Sequence, residues 1–77
     1  MIGVLTSDFV LYHDIIHALQ RREVPFASLT FNSPIPANVG VIITSEKEKD
    51  KINFERVVHP EREENMDELI DLSLIHI

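Results

Sequence analysis

The hexapeptide Val39-Gly40-Val41-Ile42-Ile43-Thr44 constrains this chain more than any other stretch. It is apolar at consecutive positions, so an extended backbone there must bury both of its faces, and its β-branched side chains favour that backbone. A strand of this kind belongs inside a parallel sheet covered on both sides. Ile2 to Leu5 repeats the pattern near the N-terminus and is bounded by Thr6-Ser7-Asp8. Phe26 to Thr30 or Phe31 reads as another strand, and Phe54 to His59 as a weaker fourth, closed by Pro60.

The intervening segments follow a different period. Stepping about 100° per residue, Phe9, Leu11, Tyr12, Ile15, Ile16 and Leu19 fall on one stripe, with His13, Asp14, His17, Gln20 and Arg21 opposite. The spacing predicts a helix over Phe9 to Glu23. Ser7 or Asp8 caps it, Arg21 and Arg22 suit the negative end of its dipole, and Val24-Pro25 stops it. A second helix is expected from Glu61 to about Leu74, acid-rich in its first turn, with Met66, Leu69, Ile70, Leu74 and Ile77 as its apolar face. Asn32 to Asn38 is a loop by its turn residues, and the sign-alternating run Glu46 to Lys51 reads as a solvated turn.

The resulting order, β-α-β-β-β-α, predicts an α/β fold with a small, mostly parallel sheet of about four strands. The expected strand order is 2-1-3-4, with one helix after the first strand and one at the C-terminus, in effect a truncated half of a Rossmann- or flavodoxin-like layer. Residues 1–60 form the α/β module and 61–77 an acidic C-terminal helix. The loop from Asn32 to Asn38 is shorter than the dozen or so residues a parallel connection usually takes, so an abbreviated crossover is expected there.

Bulk properties narrow the function classes. A chain of 77 residues buries only roughly 60% of its unfolded surface, which supports a thin core. The net charge of -6 is uneven. Residues 1–45 set Asp8, Asp14 and Glu23 against Arg21 and Arg22, whereas residues 46–77 carry ten acids against five bases. No basic patch exists to displace phosphate counterions, so direct nucleic-acid binding by this module is not expected. Cysteine is absent, which excludes disulfides and thiolate metal sites. The N-terminus lacks a basic stretch, and Asp8, His13 and Asp14 interrupt its apolar run, so neither a signal peptide nor a membrane span is expected and the cytoplasm is the default location.

Two triplets carry the candidate chemistry. Thr6-Ser7-Asp8 and Thr44-Ser45-Glu46 each follow a buried strand, so in a parallel sheet of order 2-1-3 they face each other at the switch point where open α/β sheets bind ligands. Their hydroxyls and carboxylates suit a polar ligand or a hydrated Mg²⁺. The plainer reading, a helix cap and the start of a turn, weighs more: neither loop offers a glycine for close phosphate approach, and neither holds a lysine. Thr44 also stands at the strand end where a response regulator needs its phosphorylated aspartate, which argues against that family.

His13-Asp14-Ile15-Ile16-His17 places two histidines four apart on one helical face, a spacing that suits a metal. It is similar to the H-E-x-x-H protease helix, but the aspartate shortens the would-be base and no third ligand has a recognisable spacing, so a polar face is expected there. His59, at a strand end, reads as structural or solvated. No catalytic residues can be assembled from spacing, and the chain itself is not expected to be an enzyme or to carry a cofactor.

Ile2-Gly-Val-Leu-Thr-Ser-Asp-Phe9, Val24-Pro-Phe26 and Pro34-Ile-Pro36 leading into Val39–Ser45 resemble the opening of a set of archaeal proteins. In those, a small α/β N-terminal region precedes an RNase H-like domain related to Holliday-junction resolvases. The resemblance covers about residues 1–60 and rests on strand and loop pattern. It implies a non-catalytic accessory module cut off before a nuclease domain, with Mg²⁺ as a cofactor of the whole protein and the missing C-terminal domain as the natural partner. A free-standing protein-interaction or self-associating module, and a small-ligand or Mg²⁺ binder at the two triplets, are the alternatives. The string Leu72-Ser-Leu-Ile-His-Ile77 resembles the translation of a sequencing adapter, so about the last six residues are expected to be non-native.

Overall fold

Ile2, Val4, Val41 and Ile43 are wholly buried, and what covers them sets the architecture. The computed structural model describes residues 1–60 and 66–75. Four strands, β1 (Ile2–Val4), β2 (Phe26–Ser28), β3 (Val41–Ile43) and β4 (Val57–Val58), form one sheet in the order β2-β1-β3-β4. Every neighbouring pair is parallel. Ile2 pairs with Val41 and Val4 with Ile43, so the two apolar runs lie side by side and point the same way, as their composition predicts.

Helices α1 (Phe9–Arg21) and α2 (Met66–Ile75) cover one face of this sheet. Ile15, Ala18 and Leu19 of α1, with Leu69 and Ile70 of α2, pack against Ile2, Val4, Val41 and Ile43 in a single core. An Arg22–Asp71 ion pair links the two helices, and Arg22 also donates to the Asp67 carbonyl at 3.1 Å.

The opposite face carries no helix among the described residues. Leu5, Val39 and Ile42 are covered by Leu29, Ile35, Ile52, Phe54 and Val57, which come from the chain after β2 and from the β3–β4 region. This accounts for the short crossover: the loop itself lies over the sheet, with Ile35 as its apolar plug. Gly3 makes the close approach possible. A Cβ there would stand 2.6 Å from Leu29 Cδ1 and 3.1 Å from Val39 Cγ1.

Several local expectations change. β2 stops at Ser28 and β4 is only Val57–Val58, shorter than the runs from Phe26 to Thr30 or Phe31 and from Phe54 to His59. The first helix ends at Arg21, two residues early, because Glu23 takes a left-handed φ of 55°. The Val24 N–H then bonds to the Leu19 carbonyl at 2.9 Å and the Glu23 N–H to that of Gln20 at 3.1 Å, a Schellman closure with glutamate in glycine's usual place. Phe9 leaves the predicted stripe: it is 79% exposed, because the first turn of α1 starts at the sheet's rim and the short strands do not reach beneath it. In α2 the inward positions are Leu69, Ile70 and Ser73, whose hydroxyl bonds back to the Leu69 carbonyl at 2.8 Å, while Leu74 faces outward. The parts of the expected second helix at 61–65, and Ile77 of its apolar face, lie outside the described residues. Among the described residues no helix is long and apolar enough to cross a membrane.

Candidate functional site

Because β1 and β3 are parallel neighbours of equal length, the segments that follow them leave the sheet at one rim. The Leu5 N–H extends the ladder to the Ile43 carbonyl at 3.0 Å, and Thr44 N–H bonds to that of Val58 at 3.0 Å, so both exits are fixed by backbone bonds. Thr6, Ser7 and Ser45 then converge, but on a residue outside the two triplets.

That residue is Glu48. Its Oε1 accepts from the Thr6 hydroxyl at 2.5 Å and from the Ser45 hydroxyl at 2.7 Å. Its Oε2 accepts from the Ser7 hydroxyl at 2.8 Å and the Ser7 N–H at 3.1 Å, and the same N–H lies 3.2 Å from Oε1. The residue is 7% exposed. Burial of the carboxylate acts to raise its pKa. The bonds from Thr6, Ser45 and Ser7 together outweigh that effect and lower it from 4.5 to about 2. The charge is thus held by neutral hydroxyls and an amide.

The reading of Glu46 to Lys51 as a uniformly solvated turn is therefore corrected. Glu46, Lys47 and a 3₁₀ turn at Lys49–Lys51 do face water, while Glu48 points inward. The backbone aims it: the N–H groups of Glu48 and Lys49 both bond to the Ser45 carbonyl at 3.1 Å. One sequence signal was present, the Ser45-x-x-Glu48 spacing, which places a carboxylate over a hydroxyl at the opening of a helical turn.

The other members of the triplets do different work. Asp8 is the cap of α1, its Oδ1 accepting from Val10 N–H at 3.1 Å and Leu11 N–H at 3.2 Å. The Thr6 hydroxyl, while donating to Glu48, also accepts the Asp8 N–H at 3.1 Å, which couples the cap to the clasp. Glu46 is exposed. Thr44 is fully buried, and its hydroxyl finds no hydrogen-bond partner among the described residues. Beside the clasp opens a cleft of about 450 Å³, flanked by Asp8 and Glu46 but also by Lys47 and Lys51.

His13 and His17 lie on the exposed side of α1, their rings edge-to-face with centroids 6.1 Å apart. Among the described residues no group of three or more His, Cys, Asp or Glu side chains is placed to hold a metal ion. His59 is half-buried after β4, with Nδ1 3.4 Å from the Pro60 carbonyl.

Comparison with known proteins gives one family. The family model described as response regulator receiver-like domain matches residues 1–74. No curated protein and no solved structure matches the chain. The argument from Thr44 against such a family is thereby overturned: residues 1–74 match even though threonine stands at the end of β3.

Proposed function

Because this chain belongs to the response regulator receiver-like family, we propose that it is a non-catalytic regulatory module that acts by binding a protein partner, without phosphorylation at the end of β3. The observation that carries this reading is Thr44, fully buried where an acceptor aspartate would stand. A threonine hydroxyl has no carboxylate oxygen with which to form an acyl phosphate, and this one is out of reach of a donor. The neighbouring donors at the rim are already engaged by Glu48. Partner binding is favoured by Phe9 and Val10, which stand 79% and 74% exposed in the first turn of α1 on the same rim. The test is treatment with acetyl phosphate and Mg²⁺ followed by intact-mass measurement. Unchanged mass after removal of the small molecules is expected, and a covalent phosphoryl adduct on residues 44–48 would overturn the reading.

A second reading draws on the resemblance of Ile2–Phe9, Val24–Phe26 and Pro34–Ser45 to archaeal proteins that bear an RNase H-like domain. On that reading the module is a cytoplasmic accessory to a Mg²⁺-dependent nuclease encoded downstream. The source gene tests it: an open frame running on past residue 71 into a strand followed by an aspartate supports it, and a native stop there removes it.

A further inference from the structure

We propose that His13 and His17 are one half of a tetrahedral zinc site whose other half is the same pair on a second copy of this chain, so that the ion joins two chains through α1. The apolar part of this contact rests on the reading of Phe9 and Val10 as a docking surface. The metal rests on the histidines alone.

The outer face of α1 suits a second copy. Steps of about 100° along Phe9–Arg21 place Phe9, Gln20, His13, His17 and Val10, in that order, across one side of the helix. All five are exposed. None carries a fixed charge, whereas the chain as a whole stands at -6. Two copies therefore repel each other least along this stripe. Asp14 and Arg21 border it with opposite signs.

The histidines supply the metal chemistry. Four residues apart, they project from the same side of successive turns, with ring centroids 6.1 Å apart. Neither ring hydrogen-bonds to another of the described residues. An open depression of about 770 Å³ beside His17, lined also by Asp14, Gln20, Arg21 and Met66, leaves that ring room to turn. Imidazole nitrogens bind zinc at about 2.0–2.1 Å in tetrahedral geometry, so one pair fills two of four positions. Among the described residues no third ligand is placed to fill the others. A second copy is. With a two-fold axis passing midway between His13 and His17, antiparallel packing of α1 on its copy sets His13 of each chain opposite His17 of the other. The same register lays Val10 against Gln20 of the second copy and Phe9 against Arg21 of the second copy, whose aliphatic stem covers the exposed ring.

The experiment is sedimentation velocity and calorimetric titration of the full chain at pH 7 with zinc sulfate, for wild type, His13→Gln and His17→Gln. Wild type should bind one zinc per two chains and sediment as a dimer, and EDTA should reverse both. Magnesium should have no effect, because imidazole is a poor ligand for it. Cobalt in place of zinc should show the intense visible bands of a four-coordinate ion. Each variant should need at least about tenfold more zinc to dimerise, since it loses half of each chelate. One zinc per chain with no dimer, an adventitious ion only, would overturn the proposal, as would zinc-driven dimerisation that is equal in all three proteins. Association of the metal-free chain that zinc does not strengthen would leave the partner reading standing and overturn this one. Should a variant fail to fold, the wild-type stoichiometry and cobalt spectrum decide the matter.

Discussion

Replacing Glu48 with glutamine should destabilise the protein at neutral pH and make little difference in strong acid. In the folded chain the carboxylate's pKa is lowered from 4.5 to about 2. Its contribution is therefore fully present above the unfolded value and is lost as pH falls from about 4.5 towards 2. A depression of that size corresponds to about 3 kcal/mol. The side chain is only 7% exposed, yet it lies under a thin layer of loops at the rim, so nearby water screens the interaction and about 2 kcal/mol is the expected observable. Urea unfolding of wild type and Glu48→Gln at pH 7, 5, 3.5 and 2.5 measures it. The gap between the two proteins should hold from pH 7 to 5 and then narrow steadily. A gap of the same size at pH 7 and pH 2.5 would show that the carboxylate's charge is not what the hydroxyls hold.

Thr44→Val removes a buried hydroxyl that has no partner among the described residues, so it should stabilise the chain by up to about 1 kcal/mol in urea unfolding; a loss of that size would reveal a partner for the hydroxyl. Gly3→Ala should cost about 1 kcal/mol, because Leu29 Cδ1 is the end of a flexible side chain that can yield while β-branched Val39 is stiffer, and Gly3→Val should cost more. Asp71→Asn should shift the unfolding midpoint by less than the equivalent of about 1 kcal/mol, since the Arg22–Asp71 partners are 32% and 61% exposed.

The sheet could be read from the sequence because its two central strands advertise burial on both faces. Ile2–Leu5 and Val39–Thr44 admit few other environments, and their polar ends then had to share a rim. The first helix was legible for a similar reason: Ile15 and Leu19 recur at helical spacing and are fully buried. Its ends were less so. Periodicity does not reveal that Phe9 overhangs the sheet, nor that Glu23 accepts a left-handed backbone so that Val24 can fold back towards the core.

Glu48 was hidden by its neighbours. Lys47 and Lys49 flank it, and alternating charge ordinarily marks a face turned to water. Only the tertiary pairing of β1 with β3 brings Thr6 and Ser7 within reach of it, a contact spanning 42 and 41 residues of sequence. The hydroxyl-rich triplets could be picked out, but their acceptor stood two residues beyond the second of them. The helix-free face was hard to foresee for another reason: Ile35, Ile52 and Phe54 are scattered single apolar residues in loops, without the period that identifies an element.

The rim between β1 and β3 is filled by the chain's own ionised carboxylate. Carbon-detected NMR titration of the Glu48 carboxyl group in the wild-type chain tests it most directly. Its resonance should stay in the ionised form down through pH 3.5 and titrate close to 2, with slowly exchanging hydroxyl protons at Thr6, Ser7 and Ser45. Titration near 4.5, as for a glutamate in water, would place Glu48 outside the clasp and contradict the account.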